Sequence, residues 1–114
     1  MNVGAALVEL HVHGSQSLKE KRGVVNSLKQ RLRNRFNVSV AEVGGQDTWQ
    51  RATIGLGAVG SDARELRGRL ERAIDFVEAQ GLAEVIGSDV EILSLPFEPR
   101  TLADAEDWSS DDGG

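Results

Sequence analysis

The sequence predicts an α+β domain in which a four-stranded antiparallel sheet carries two helices on one of its faces. Two observations support this prediction. Four segments of the 114-residue chain alternate between apolar and more polar residues, as half-buried strands do. Two further segments place apolar residues at helical spacing. Along the chain these segments follow the order β-α-β-β-α-β.

The first half of the chain contains a strand, a helix and a second strand. Residues 3–13 alternate as a half-buried strand does. Residues 17–20 (Ser-Leu-Lys-Glu) form a capping box, which predicts a helix that continues to about Asn34. The apolar stripe of this helix consists of Leu18, Val24, Val25, Leu28 and Leu32. Residues 36–43 are expected to form the second strand.

A turn at residues 44–48 leads into a third strand, expected over residues 49–59. The segment from Gly55 to Gly60 matches the dinucleotide-binding pattern G-x-G-x-x-G by letter. No acidic residue follows about 20 positions later at the end of a strand, as such a site requires. We therefore interpret these glycines as part of the strand and of the turn after it.

A second helix and a fourth strand complete the pattern. Ser61 or Asp62 is the expected N-cap of the helix, and Gly81 fits the position after its end, where a left-handed backbone favours glycine. The apolar stripe of the helix consists of Leu66, Leu70, Ala73, Ile74 and Val77. The fourth strand is expected over residues 83–95, with a bulge at residues 87–88.

This order of elements is typical of the ferredoxin-like βαββαβ sandwich, in which both helices cover one face of the sheet. Right-handed crossovers then predict the strand order 4-1-3-2. We expect residues 1–96 to form this single domain, since the chain has little room for a second. Residues 97–114 are acidic and rich in small residues, so we expect a flexible C-terminal tail.

Charge is unevenly distributed along the chain, whose net charge is −5. Residues 97–114 contain six acidic residues and one arginine, so the remainder sums to zero. Residues 17–35 contain seven basic residues and only one acidic residue, Glu20. On a helical wheel, one basic-polar row beside the apolar stripe consists of Lys19, Arg22, Asn26, Lys29 and Arg33. Lys21 falls on the stripe itself, which is unusual for a lysine.

This basic first helix predicts contact with RNA, because lysine and arginine neutralise phosphates and release their counterions. The expected RNA-binding residues are Lys19, Lys21, Arg22, Lys29, Arg31, Arg33 and Arg35. Arg31 and Arg35 lie on the opposite flank and would add general attraction. The alternatives are a solvated charged face, one covered by the acidic tail, or a surface for a protein or another polyanion.

The sheet face without helices is expected to carry a charged cluster. Its predicted members are Glu9, His11, His13, Glu42, Asp47, Trp49 and Arg51. The alternation of the second strand conflicts with this position for Glu42, because it would bring Val38 and Val40 to the same face. Trp49 is expected to be a packed residue at the rim of the sheet.

Several uses of this face remain open at the level of sequence. The histidines and Glu42 could bind a metal or act as general acid and base, although no nucleophile motif accompanies them. A polar network, in particular across a homodimer interface, is the simpler interpretation. The residues small or apolar enough to pack against a second copy are Ala5, Leu7, Gly55, Gly57 and Val59.

Composition excludes several classes of protein. The chain has no cysteine, which excludes disulfides, a thiolate nucleophile and zinc–cysteine sites. Aromatic residues are only 4% of the chain, too few for a base-stacking platform of several rings. No apolar run approaches the roughly 18 residues of a membrane helix, and the N-terminus lacks the basic region of a signal peptide. We expect a cytoplasmic protein without a cofactor, a metal or membrane contact.

Three strings in the first half of the chain are distinctive: residues 17–22 (SLKEKR), 37–43 (NVSVAEV) and 47–52 (DTWQRA). Together they resemble the YlxP-like family of small bacterial proteins, a domain of unknown function numbered 503, over residues 1–95. The resemblance implies a ferredoxin-like fold and a gene placed beside translation-initiation and ribosome-maturation genes. It implies no catalytic residue, because the family has no established activity. The matching residues are Ser17, Lys19, Lys21, Arg22, Glu42, Asp47, Trp49, Gln50 and Arg51.

These inferences combine into one functional expectation. The protein is expected to be a non-catalytic module that binds RNA or a ribosomal particle through its first helix. An oligomeric scaffold built on the open sheet face is the alternative, followed by a metal or catalytic site that uses the histidines.

Overall fold

A computed structural model of the protein describes residues 1–45 and 48–96. It confirms the predicted order of elements and the ferredoxin-like fold. The elements are β1 (Asn2–His11), α1 (Leu18–Arg35), β2 (Ser39–Gly44), β3 (Arg51–Gly60), α2 (Ala63–Ala79) and β4 (Glu84–Ser94). All neighbouring strands are antiparallel, and their order β2-β3-β1-β4 is the predicted one.

The helix caps follow from the sequence. The Ser17 hydroxyl accepts a hydrogen bond from the Glu20 amide at 3.1 Å, and the Glu20 carboxylate accepts from the Gln16 amide at 2.8 Å. At α2 the N-cap is Asp62, whose side chain accepts hydrogen bonds from the amides of Arg64 and Glu65. Gly81 follows the end of α2 with φ +71°, as predicted.

The core lies between the two helices and one face of the sheet. Alternate residues of β1 and β3 are buried beneath the helices, which fixes the side of the sheet that every other residue occupies. The strand contribution consists of Ala6, Val8, Leu10, Val12, Ala52, Ile54 and Leu56. The helix contribution is the two predicted stripes, with Leu18 and Val24 only partly buried.

The second strand begins later than predicted. The Phe36 amide still donates to the Leu32 carbonyl at 2.9 Å, so this residue caps α1 instead of opening a strand. Its ring packs edge-to-face on Phe76 of α2, with 5.5 Å between centroids. Residues 36–38 have a strand-like composition, but Phe36 is held at the end of α1 by this contact, and β2 begins only at Ser39.

The irregularity in β4 lies one residue from its predicted position. Glu9 pairs with Gly87 and Leu10 pairs with Val85, so Ile86 is the extra residue. Asp47 and the acidic residues 97–114 lie outside the described residues. Within residues 1–45 and 48–96, no helix has the length and hydropathy that a membrane span requires.

Candidate nucleic-acid interface and the loop end of the sheet

The basic row on α1 is open to solvent. Lys19, Arg22 and Arg33 are exposed and Lys29 is half-buried. In the described part of the chain, the ion pairs within 4.0 Å are His13–Glu84, Lys21–Glu42 and Arg69–Glu65. The four cations of the row therefore have no carboxylate partner among residues 1–45 and 48–96.

Arg33 places this row along the edge of the sheet. Its Nη2 donates to the Val40 carbonyl of β2 at 2.6 Å, and β2 is an edge strand. A guanidinium has five N–H donors, so most of those of Arg33 remain available to another acceptor. The row thus meets the edge of the sheet at its Arg33 end.

The two arginines on the opposite flank of α1 connect the helices. Arg31 Nη1 donates to Gln80 Oε1 at 2.6 Å, and the Arg35 guanidinium lies 5.2 Å from the centroid of the Phe76 ring. Both residues are exposed. They contribute positive potential to the helix but do not belong to the row.

Lys21 is not available to an external phosphate, contrary to the prediction, because it is only 1% exposed. Its ammonium donates to the carbonyl of Gly45, and to that of Arg51 at 3.1 Å. The Glu42 carboxylate lies 3.7 Å away. A buried ammonium needs both acceptors and a counter-charge, and this site supplies them. The position of Lys21 on the apolar stripe was the signal for this burial.

Glu42 lies on the helix-facing side of the sheet, not on the open face where it was predicted. In register it pairs with Ile54, a core residue, and it shares this side with Val40. The alternation of β2 already pointed this way. The carboxylate can lie there because Lys21 neutralises it; its buried Oε2 makes no hydrogen bond within the described residues.

The open face does carry Glu9, His11, His13 and Arg51 of the predicted cluster. His11 and Arg51 are register partners on β1 and β3, and Glu9 lies one step along the same side. The His11 and His13 rings lie 4.0 Å apart, and His13 Nε2 is 3.0 Å from Glu84 Oε2. Sequence reasoning missed Glu84, because the bulge in β4 obscures which way its residues face.

This arrangement leaves the metal and acid–base alternatives without support. Glu42 is on the opposite side of the sheet from His11 and His13, so the predicted trio is not assembled. Among the described residues, no group of three or more histidine, aspartate or glutamate side chains is arranged to hold a metal ion.

Two loops meet at the end of the sheet where Lys21 is buried. The Val12 amide donates to the Gln50 carbonyl at 2.8 Å, and the Gln50 side chain donates to the Ser15 carbonyl at 3.4 Å. Gly45 has φ +76°, and a β-carbon there would lie 2.8 Å from the Arg51 carbonyl. Lys21 therefore joins the start of α1 to the β2–β3 connection. The backbone of this connection at position 45 can be adopted only by glycine.

Trp49 lies in this connection and is 55% exposed. The prediction that it packs at the rim of the sheet is therefore wrong. Lys21 and Gln50 hold the backbone on either side of Trp49 through hydrogen bonds, while the Trp49 side chain stays exposed.

Comparison with known proteins agrees with these motifs. The family model described as "Protein of unknown function (DUF503)" matches residues 3–90. This chain belongs to the DUF503 family. It is also 40% identical over 77 residues to the "Uncharacterized protein YlxP" of Bacillus subtilis (strain 168), covering 68% of this chain and 84% of that protein.

Solved structures similar to the DUF503 chain are more distant. SnoaB, a cofactor-independent oxygenase from Streptomyces nogalater, is 12% identical with a TM-score of 0.49, covering 90% of this chain and 98% of SnoaB. Rv0793 from Mycobacterium tuberculosis is 12% identical with a TM-score of 0.46, covering 88% of this chain and all of Rv0793.

The structure places most of the DUF503 motif residues at one end of the sandwich. Ser17 caps α1, and Lys21 and Glu42 form the buried pair. The Arg51 carbonyl accepts from Lys21, and the Gln50 carbonyl accepts from the Val12 amide. These residues explain the architecture of the loop end. Among the described motif residues, Lys19, Arg22, Trp49 and Arg51 have exposed side chains that take no part in these contacts.

Proposed function

We propose that this DUF503 protein is an RNA-binding module whose partner is ribosomal RNA or a ribosomal particle. The contact surface is the row formed by Lys19, Arg22, Lys29 and Arg33, with Arg31 and Arg35 adding general attraction. The observation that carries the proposal is the lack of any carboxylate within 4.0 Å of these row residues in the described part of the chain.

The spacing of the row suits a phosphate backbone. Lys19 and Arg33 are fourteen residues apart on one helix, a distance of about 21 Å at 1.5 Å per residue. Several phosphates of one nucleic-acid strand fall within such a length. Long basic side chains can follow them without base-specific contacts, which predicts binding by backbone charge.

The second helix provides an internal comparison. On α2, Arg69 donates to Glu65 at 2.7 Å and also reaches the Asn37 carbonyl, so its charge is neutralised locally. Arg64, Arg67 and Arg72 of α2 also have no carboxylate within 4.0 Å among the described residues, but they alternate with acidic residues along their helix. Residues 17–35 instead contain Glu20 as their one acidic residue, so the positive potential of α1 is not offset in this way. The net charge of −5 opposes nonspecific attraction of the whole chain to a polyanion. Binding would therefore depend on the positive potential around α1.

The test compares two triple variants with the same change in net charge. In one, Lys19, Arg22 and Lys29 become glutamate; in the control, Arg64, Arg67 and Arg72 of α2 become glutamate, all of them exposed. Arg33 is left intact because it also bonds Val40. Binding to purified 16S ribosomal RNA is measured by filter retention at two salt concentrations.

We expect the α1 variant to lose at least about tenfold in affinity at low salt, and its salt dependence to become shallower by about 2 in log–log slope. The α2 variant should keep both the affinity and most of the slope. Equal losses in the two variants, or undiminished binding by the α1 variant, would show that the row is not the contact surface. Circular dichroism confirms that both variants are folded.

A further inference from the structure

The sheet face opposite the helices divides into an apolar part and a polar part. Toward the start of β1, Leu7 is 50% exposed, Val59 57% and Leu93 61%, and their side chains share this face with Val3 and Ala5. Asp89 and Glu91 of β4, the register partners of Leu7 and Ala5, border this apolar part on its outer side. Toward the end of β1, the same face carries the polar cluster of Glu9, His11 and Arg51. Large apolar side chains gathered on one face in this way indicate an interaction surface.

This face also has a ridge and a depression next to each other. Leu7 pairs in register with Gly55, and Ala5 pairs with Gly57, so the tallest side chain stands beside two residues without any. A β-carbon at Gly57 would meet no atom within 4 Å. The depression beside Leu7 has a volume of about 380 Å³ and is bordered by Ala5, Gly55, Asp89 and Glu91, among others.

We propose that a second copy of this chain covers the open face, in a symmetric dimer with the two sheets packed face to face. A two-fold axis between the sheets and parallel to the strands places β1 of each copy over β3 of the other. Leu7 of each copy then enters the depression over Gly55 of the second copy. The face is therefore complementary to itself.

The division of the face selects this axis. Rotation about an axis along the strands brings apolar part onto apolar part and polar part onto polar part. Rotation about an axis across the strands would place Val3 of one copy near His11 of the other, which buries charge against valine. With the first axis, Glu9 of one copy lies over Thr53 of the other, two residues from Arg51, so the long Arg51 side chain can reach the Glu9 carboxylate.

The size of the face is sufficient for a specific dimer. The four strands contain 37 residues in total, and at about 3.3 Å per residue and about 4.8 Å between strands they cover about 600 Å² per copy. Two copies together bury about 1,200 Å², which is the lower bound of standard interfaces. Such a dimer is expected to dissociate on dilution.

Gly57→Arg tests the proposal. The space above Gly57 is open, so the arginine does not disturb the isolated domain. In the proposed dimer it would stand where Ala5 of the second copy lies, because Ala5 and Gly57 are register partners. The matched control is Gly23→Arg on the exposed side of α1, where a β-carbon also meets nothing within 4 Å. Molar mass is measured by light scattering on nuclease-treated protein, at concentrations up to about 100 μM.

The wild type and the Gly23 variant should show twice the 12.3 kDa chain mass at high concentration, and the Gly57 variant the single mass. A monomeric wild type throughout this range, or a dimeric Gly57 variant, would overturn the proposal. Nuclease treatment keeps the result independent of RNA binding, so either proposal can fail without the other.

Discussion

The buried ammonium of Lys21 is the most constrained single group in the described part of the protein. It is fully enclosed, bonded to two carbonyls and paired with Glu42. Burying two opposite charges brings little net stability, but removing only one of them leaves the other unpaired in a site of low polarity. The pair therefore acts mainly to specify how α1 meets the β2–β3 connection.

We expect Lys21→Met to lower the free energy of unfolding by about 3 kcal/mol, because the Glu42 carboxylate and two carbonyls lose their partner. Replacing Glu42 by leucine as well should restore part of this loss. The measurement is urea denaturation followed by circular dichroism.

Lys19→Met is the control, since Lys19 is exposed on the same helix and should change stability by less than about 0.5 kcal/mol. If the two lysine variants are equally stable, the burial of Lys21 has no energetic consequence.

The sequence predicted the place of Lys21 better than its role. Helical spacing put it on the apolar stripe, but nothing local identifies two carbonyls contributed by a hairpin more than twenty residues later. For Glu42, charge predicts the open face and the alternation with Val40 predicts the helix-facing side. The structure follows the alternation. Charged residues are normally exposed, and both members of a buried ion pair depart from this pattern. Neither residue alone therefore indicates that it is buried.

At the scale of elements, the two helices show which sequence signals are decisive. Both helix stripes and both caps follow directly from residue spacing. The start of β2 and the bulge in β4 do not, because they depend on Phe36 contacting Phe76 and on Ile86 being left out of the ladder. These are contacts between elements, which a pattern within one element does not contain.

The N-cap of α2 allows a comparison between adjacent residues. Asp62 accepts hydrogen bonds from the Arg64 and Glu65 amides at 2.9 and 3.2 Å, whereas the Ser61 side chain has no such role. Asp62→Ala should lower the free energy of unfolding by about 1 kcal/mol.

Ser61→Ala should leave the free energy of unfolding nearly unchanged, because the contact of Asn2 with residue 61 uses the backbone carbonyl. Both variants are compared by chemical denaturation. A larger effect at Ser61 than at Asp62 would contradict the cap assignment.

At the scale of the whole molecule, the sequence predicted the strand order and the side of the sheet that the residues of β1 and β3 occupy, but not the side of Glu42 on β2. It also predicted the polarity of the open face. It did not determine which cation is buried, because Lys21 is engaged by the backbone carbonyls of Gly45 and Arg51, which are distant in sequence. The candidate interface is therefore narrower than the charge count of residues 17–35 suggests.

The charge distribution leads to a prediction about residues 97–114. A chain ending at Pro96 loses a net charge of −5 and should bind 16S ribosomal RNA more tightly at low salt, with a difference that shrinks as salt is added. Its unfolding transition should match that of the full chain, since residues 1–96 are the expected domain.

The control is a full-length chain in which the six acidic residues after Pro96 are replaced by their amides. If charge is the cause, this variant binds as tightly as the shortened chain. If it binds like the wild type, the acidic residues do not act electrostatically on α1.

The contact between Arg33 and the Val40 carbonyl has a consequence for assembly. An outer strand offers its free backbone groups to any extended segment that approaches, and this is a common route to uncontrolled polymerisation. With a long cation occupying one of these acceptors, β2 is a poor template for such growth. The molecule thus discourages association through its β2 edge, in keeping with a partner that instead covers the open face.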